Sequence, residues 1–271
     1  MRVAIKLAYT GEQYHGFQIQ PNIDTIEGYL FSALKDLGII LDSKSSNYIS
    51  SGRTDAGVHA AGQVVAFNSE KPSISIPRVI NSKLPESICA WAHAEVLDDF
   101  NPRYDAFSRS YRYIMSGENI DISKIRLASR HFIGTHDFFN FCTNDGEKAT
   151  IRTIKKIDIR ITGPLIKLDI EADGFLWNMV RKIVTALKMV GSGVRDTEWI
   201  KQMLNPATYE EGIQSAHPYG LTLMSVNFPN KIDWKVDTYS VRKATELFKE
   251  KQLYNRVMSE VYENLIPSNE T

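Results

Sequence analysis

Cysteine is nearly absent: the 271 residues hold two, Cys89 and Cys142. Two cysteines build no disulfide framework, and neither stands in a Cys-x-x-Cys pair of the kind that anchors structural zinc. Net charge is absent as well, because 32 basic residues balance 32 acidic ones. That excludes a tail-driven polyanion binder. It leaves room for a local basic cleft, since partners respond to where charge sits. No apolar run approaches the ~20 residues of a membrane-spanning helix. The opening Met1-Arg2-Val3-Ala4-Ile5-Lys6-Leu7 lacks the apolar core and cleavage site of a secretory signal. No Gly-x-x-x-x-Gly-Lys phosphate loop and no Gly-x-Ser-x-Gly elbow occurs. Gly191-Ser192-Gly193 follows a helical pattern rather than a strand, unlike a dinucleotide fingerprint. His131 and His136, five apart, are poorly spaced for a metal on one helix face and read as packing or capping residues. Asn269-Glu270-Thr271 resembles a glycosylation sequon, but as the last three residues it reads as chance. The expected setting is a reducing cytoplasm.

What is present is ordinary globular composition, 43% hydrophobic and 24% charged, which excludes a disordered chain. At ~150 residues per domain, the length predicts about two lobes. Val3, Ile5 and Leu7 alternate and predict a half-buried strand. Asp24 with Glu27 resembles a capping box before a helix carrying Ile26, Tyr29, Leu30, Ala33, Leu34 and Leu37, stopped by Gly38. Strands are expected over 64–67 and 88–96, with a short helix from Pro77 between them. The second half repeats the mixture. A strand is expected over 108–115, and a hairpin with one wet face turns at Thr162-Gly163-Pro164. A helix over 176–190 has Leu176, Met179, Val180, Ile183, Leu187 and Val190 as its core stripe, and 221–228 reads as a last strand. The fold class is α+β, with antiparallel sheets and two lobes meeting near 98–108. A further helix is expected from Asp237, with Val241, Ala244, Phe248 and Val257 as a partial apolar face.

Three stretches carry residues suited to chemistry. The densest is Gly52-Arg53-Thr54-Asp55-Ala56-Gly57-Val58-His59-Ala60, a polar loop bracketed by glycines between strands. Arg53 and His59 flank Asp55, which predicts a carboxylate held ionised by cations and able to act as nucleophile or base. A tight turn with Asp55 capping a backbone N–H is the plain alternative. The second is Phe100-Asn101-Pro102-Arg103-Tyr104-Asp105-Ala106, running into Ser108-Arg109-Ser110-Tyr111-Arg112-Tyr113. Interleaved Arg and Tyr suit phosphate pairing and base stacking. A surface strand with cation–π pairs is the alternative. In the third, Phe175 to Lys182, Trp177 and Arg181 are expected four apart on one helix, off the core stripe. From there Arg181 could reach a buried carboxylate of another segment, or simply be solvated.

These residues together resemble the tRNA pseudouridine synthase A family. The Gly52–Ala60 loop is similar to the family's signature loop. Other blocks match in order: Tyr9-Thr10-Gly11 through Gly16-Phe17-Gln18-Ile19-Gln20, Thr25-Ile26-Glu27, the 100–113 crossing, His131-Phe132-Ile133-Gly134-Thr135-His136-Asp137-Phe138 and the Arg181 helix. They run to about Phe228. Two stretches depart from the family pattern and bear on substrate choice. Phe175-Leu176-Trp177-Asn178 stands where many members carry histidines, and Ala216-His217-Pro218-Tyr219-Gly220-Leu221 replaces a commoner Ala-Pro-rich version.

The resemblance implies two similar α+β lobes whose sheets join into one extended antiparallel platform, with the active site in a basic cleft between them. The implied division is 1–104, an N-terminal lobe with the Asp loop; 105–230, a C-terminal lobe; and 231–271, a helical extension. It implies conversion of uridine to pseudouridine in tRNA, usually in the anticodon stem-loop (tRNA positions 38–40), without redox chemistry, metal or other cofactor, by a homodimer. Asp55 is implied to be the essential carboxylate and Arg181 its partner. Tyr111 is implied to pack on the target base, and Arg53 to hold the nucleotide out of its stack. Rival readings are a non-catalytic tRNA-binding or tRNA-folding module, a synthase acting at other RNA positions, and a glycosidase, which would usually need a second acid.

Overall fold

The computed structural model describes residues 1–143, 146 and 149–267; the sequon-like Asn269-Glu270-Thr271 lies outside them. In chain order the first half contains β1 (Arg2–Tyr9), α1 (Ile26–Asp36), β2 (Ile49–Ser50), β3 (His59–Asn68), α2 (Pro77–Asn81) and β4 (Ile88–Glu95). The second contains β5 (Ser108–Ser116), α3 (Ile122–Ser129), β6 (Gly134–Asp137), β7 (Ile151–Thr162), β8 (Leu165–Ala172), α4 (Met179–Gly191), α5 (Thr197–Met203) and β9 (Leu221–Asn227). β10 (Lys235–Val236) and α6 (Thr238–Leu265) follow.

Among the described residues, the strands form one ten-stranded sheet in the order β10-β4-β1-β3-β9-β5-β8-β7-β6, with β2 on β3. The fold is α+β. Within each half the pairings are antiparallel. The join departs from the expected all-antiparallel platform: β3 meets β9 in parallel, with His59 opposite Thr222 and Ala60 opposite Leu223. Just beyond, a Cβ on Gly62 would lie 2.5 Å from the Met224 carbonyl oxygen, so this seam brings two backbones closer than any side chain permits.

Each half has its own core. α1 lays Ile26, Leu30 and Leu34 on Ile5, Leu7 and Val65. α4 lays Met179, Ile183 and Leu187 on Leu168, Ile170 and the Phe132–Phe141 ring pair. Fully burying one such side chain contributes ~1.5–3 kcal/mol. Tyr111 packs against both cores, so it sits where the halves meet.

Several local expectations are corrected. β1 is buried on both faces, with Arg2 and Ala4 at 0% exposure beside Ile5. Its second face is covered by the Trp91 and Trp234 rings, which meet Lys6, and by the Phe100 carbonyl that accepts from Arg2. The cap of α1 is Thr25, whose hydroxyl accepts from Gly28 N–H; Glu27 instead accepts from Ile19 N–H at 2.8 Å. In the β7–β8 hairpin, Ile166, Leu168 and Ile170 form the dry face as expected, but Ile161 near the turn is exposed. α4 starts at Met179, because Asn178 is left-handed (φ 63°) and interrupts the right-handed run. Leu176 and Trp177 therefore precede the helix, and Trp177 does not share a helix face with Arg181.

The long α6 begins at its Asp237 cap as expected. Val241, Ala244 and Phe248 face Cys89 and Trp91 across an apolar groove, whereas Val257 is exposed farther along. Among the described residues, no helix is long and apolar enough to cross a membrane.

Candidate active site

The Asp55 loop connects β2 to β3 and is held from the first half. Thr54 shares a 2.8 Å hydrogen bond with the buried Tyr9 hydroxyl, and its carbonyl accepts from Phe17 N–H. Val58 N–H donates to the Asp55 carbonyl and closes the turn. Gly57 (φ 79°) makes the turn possible, and a Cβ there would lie 2.9 Å from Pro218 Cγ.

Arg181, in the first turn of α4, comes from the other half. Its Nη1 donates to Asp55 Oδ2 at 3.2 Å and to Asn178 Oδ1 at 2.8 Å. Its Nε donates to the Ala216 carbonyl at 2.6 Å, and Ala216 N–H returns a bond to the Arg181 carbonyl. The guanidinium is thus held from three sides, with its side chain 15% exposed against 31% for Asp55. Local hydrogen bonding does not account for Asp55 alone; its carboxylate is paired across the chain.

The acidity of Asp55 is set chiefly by burial, which raises it above the ordinary carboxylate value. The charge and hydrogen bond of Arg181, and the neighbouring Trp177 indole, pull it down without cancelling that effect. This corrects the expectation that flanking cations hold the carboxylate at low pKa. Arg53 lines the cleft and acts electrostatically on Glu27. His59 turns to Gly11 and Tyr219. Neither supplies the counter-charge; Arg181 does, from 126 residues away.

Tyr111 stands beside this pair. Its ring meets Phe175 edge-on, with centroids 5.1 Å apart and planes at 85°. Burial, and then the charge of Asp55, push its hydroxyl well above the usual tyrosine range, so it remains protonated at neutral pH. The structure therefore brings Asp55, Arg181 and Tyr111 together, with Arg53 on the wall of the same cleft.

Two arginines of the Arg/Tyr strand play another part than phosphate pairing. Arg109 donates to the carbonyls of Ser51, Arg103 and Asp173, tying the strand to three segments. Arg112 points to the opposite face, where Asp169 accepts from it at 2.6 Å and also from Arg160. Sequence reasoning missed the packing of Phe175 on Tyr111, the left-handed Asn178 and the Ala216 backbone. Asn before a helix is a signal that favours left-handed geometry; a backbone contact such as Ala216 leaves none.

The cleft around these groups has a volume of about 1350 Å³ and is walled by both halves. That exceeds the ~300–1,000 Å³ of a drug-sized pocket and suits a segment of a polymer. Arg53, Arg103 and Arg152 line it, together with the aromatic Tyr104, Phe175 and Trp177. Cations for phosphate and rings for bases are the elements of a single-strand nucleic-acid groove. Among the described residues, no cluster of three or more His, Cys, Asp or Glu side chains is placed to hold a metal ion.

Comparisons with known proteins match most of the chain. The tRNA pseudouridine synthase family profile matches residues 5–105 and 128–229. A tRNA pseudouridine synthase A of Methanosarcina barkeri is 60% identical, covering 98% of this chain and 99% of the relative. The Methanococcoides burtonii protein of that name is 57% identical over 99% of this chain and 98% of its own. The Archaeoglobus fulgidus protein of that name is 41% identical, covering 97% of this chain and 96% of its own. With its profile blocks spanning both halves of the sheet and its relatives matching end to end, the chain belongs to the tRNA pseudouridine synthase family.

Proposed function

We propose that this protein isomerises uridine to pseudouridine in tRNA, in the anticodon stem-loop, with Asp55 as the essential carboxylate. The observation that carries this reading is the Asp55–Arg181 pair, formed across two halves of the sheet at 3.2 Å inside a cleft large enough for RNA. In the reaction the N1–C1′ bond breaks, the uracil turns, and C5 bonds to C1′. The C5 proton leaves to solvent and N1 gains one, so no electrons enter or leave.

Asp55 serves as its carboxylate, whether that oxygen attacks C1′, adds to the base or removes a ribose proton. Arg181 holds the charge against the burial that opposes it. Tyr111, protonated and beside Asp55, packs on the target base. Arg53, on the cleft wall, steadies the nucleotide outside its stack. Extrusion costs a few kcal/mol, least where the base already lies in a loop, which favours the anticodon arm.

A non-catalytic binding module would use the Arg/Tyr strand for phosphates, and Arg109 and Arg112 are bonded within the protein instead. The proposed organisation is a lobe over 1–104, a second over 105–230 and an extension over 231–271, acting in the cytoplasm as a homodimer. Incubation with unmodified tRNA, followed by carbodiimide adduct mapping, tests the reading. Adducts in the anticodon stem-loop are expected. Adducts elsewhere would overturn the position, and none at all would overturn the activity.

A further inference from the structure

We propose that His59 is a positioning residue that staples the two halves of the sheet behind the Asp55–Arg181 pair; this rests on the roles proposed for those two residues. His59 opens β3 and lies on the parallel seam, opposite Thr222. Gly11 N–H donates to its Nδ1 at 3.1 Å, and its Nε2 lies 3.0 Å from the Tyr219 carbonyl oxygen. A ring nitrogen that accepts carries no proton, so Nε2 holds the hydrogen and donates it to Tyr219. This pattern uses the neutral ring in a single tautomer. The side chain therefore bonds one half through Gly11 and the other through Tyr219.

The bond to Tyr219 continues to Arg181. Three residues before Tyr219, the Ala216 carbonyl accepts from Arg181 Nε, and Ala216 N–H donates to the Arg181 main-chain carbonyl. Between them the His217 carbonyl accepts from the Tyr113 hydroxyl at 2.9 Å. The 216–219 stretch thus restrains Arg181 at one end and His59 at the other. On the opposite side, Val58 N–H, next to His59, closes the turn on the Asp55 carbonyl. Asp55, Val58, His59, Tyr219, Ala216 and Arg181 make a closed path, which crosses between the halves at the Asp55–Arg181 pair and again at the staple. Opening that link frees the carboxylate and the guanidinium to shift relative to each other.

Two variants separate the two bonds of the ring. The amide of His59→Asn reaches as far as Nδ1 and can keep an acceptor for Gly11, but it falls short of Tyr219. The amide of His59→Gln reaches as far as Nε2 and can keep a donor to Tyr219. Misplacing catalytic groups by ~1 Å costs ~10²-fold, so a partial loosening predicts a loss of about tenfold or more.

The experiment measures tritium release from C5-labelled unmodified tRNA, with kcat and KM for each variant. It also follows melting temperature and hydrogen exchange at the backbone amides of 59–60 and 222–223. The expected result is that His59→Gln keeps the wild-type kcat. His59→Asn loses it with KM unchanged and exchanges faster at the seam, at equal melting temperatures. Equal kcat in the two variants, or a loss that follows melting temperature alone, would overturn the proposal. If the wild-type protein releases no tritium, the activity reading falls, and seam exchange alone decides the staple: faster exchange in His59→Asn supports it, and equal exchange overturns it.

Discussion

Arg181 Nη1 reaches Asp55 Oδ2 at 3.2 Å across the junction of two half-sheets, although the residues lie 126 positions apart. The pair forms because the parallel β3–β9 seam places the Asp55 loop opposite the first turn of α4. Arg181 is anchored there by Ala216 and Asn178, independently of Asp55. The carboxylate thus meets a pre-oriented guanidinium.

Removing that partner is expected to impair the reaction strongly. Loss of one member of a buried pair costs ~3–5 kcal/mol, and the partial exposure of Asp55 reduces this to a fall of about 10²-fold in kcat/KM for Arg181→Ala. Tritium release measures it. The acid limb of the pH–rate profile should move to higher pH in the variant, because burial then acts on Asp55 without the opposing guanidinium.

Stability and activity should oppose each other at Asp55. Its folded pKa is raised by burial, so its favourable contribution to stability is complete below the unfolded carboxylate pKa. That contribution disappears as pH rises through the folded value. At neutral pH the ionised group is a net cost. Asp55→Asn should therefore melt higher than wild type at pH 7, show little difference near pH 3, and be inactive. Thermal melts across that range check the sign.

The arginines should separate by role. Arg53→Ala should lower the slope of log binding constant against log salt by about one, as expected for a lost phosphate contact. Arg112→Ala should leave that slope unchanged and lower the melting temperature, because Arg112 neutralises Asp169 on the face away from the cleft. Salt titrations of tRNA binding distinguish the two outcomes.

Gly57→Ala should damage both stability and rate. A residue with φ 79° carries a backbone penalty of ~1–2 kcal/mol when it is not glycine. The added methyl would also press on Pro218 and displace the Asp55 loop. A lower melting temperature with a reduced kcat is expected.

The elements were largely legible in the sequence, because alternation and helical spacing record which face is dry. Val64–Phe67 lies within a strand as expected, and the Ile166, Leu168 and Ile170 face of β8 and the Met179–Val190 stripe are dry as periodicity predicts, whereas Ile161 is not. Periodicity carries no information about what covers a second face, so β1 was expected to be half exposed and is buried on both sides. Spacing along the chain likewise misassigned the neighbours of Asp55. Arg53 and His59 are near it in sequence, whereas Arg181 is near it in space. The parallel seam was illegible for a related reason: two short residue pairs and a close approach at Gly62 leave no alternating pattern of their own.

The most direct test of the central claim compares wild type with Asp55→Ala on unmodified tRNA labelled with tritium at uridine C5. The account predicts release by wild type and none by the variant, with salt-sensitive tRNA binding retained in both. Release by Asp55→Ala at a rate near wild type would contradict it.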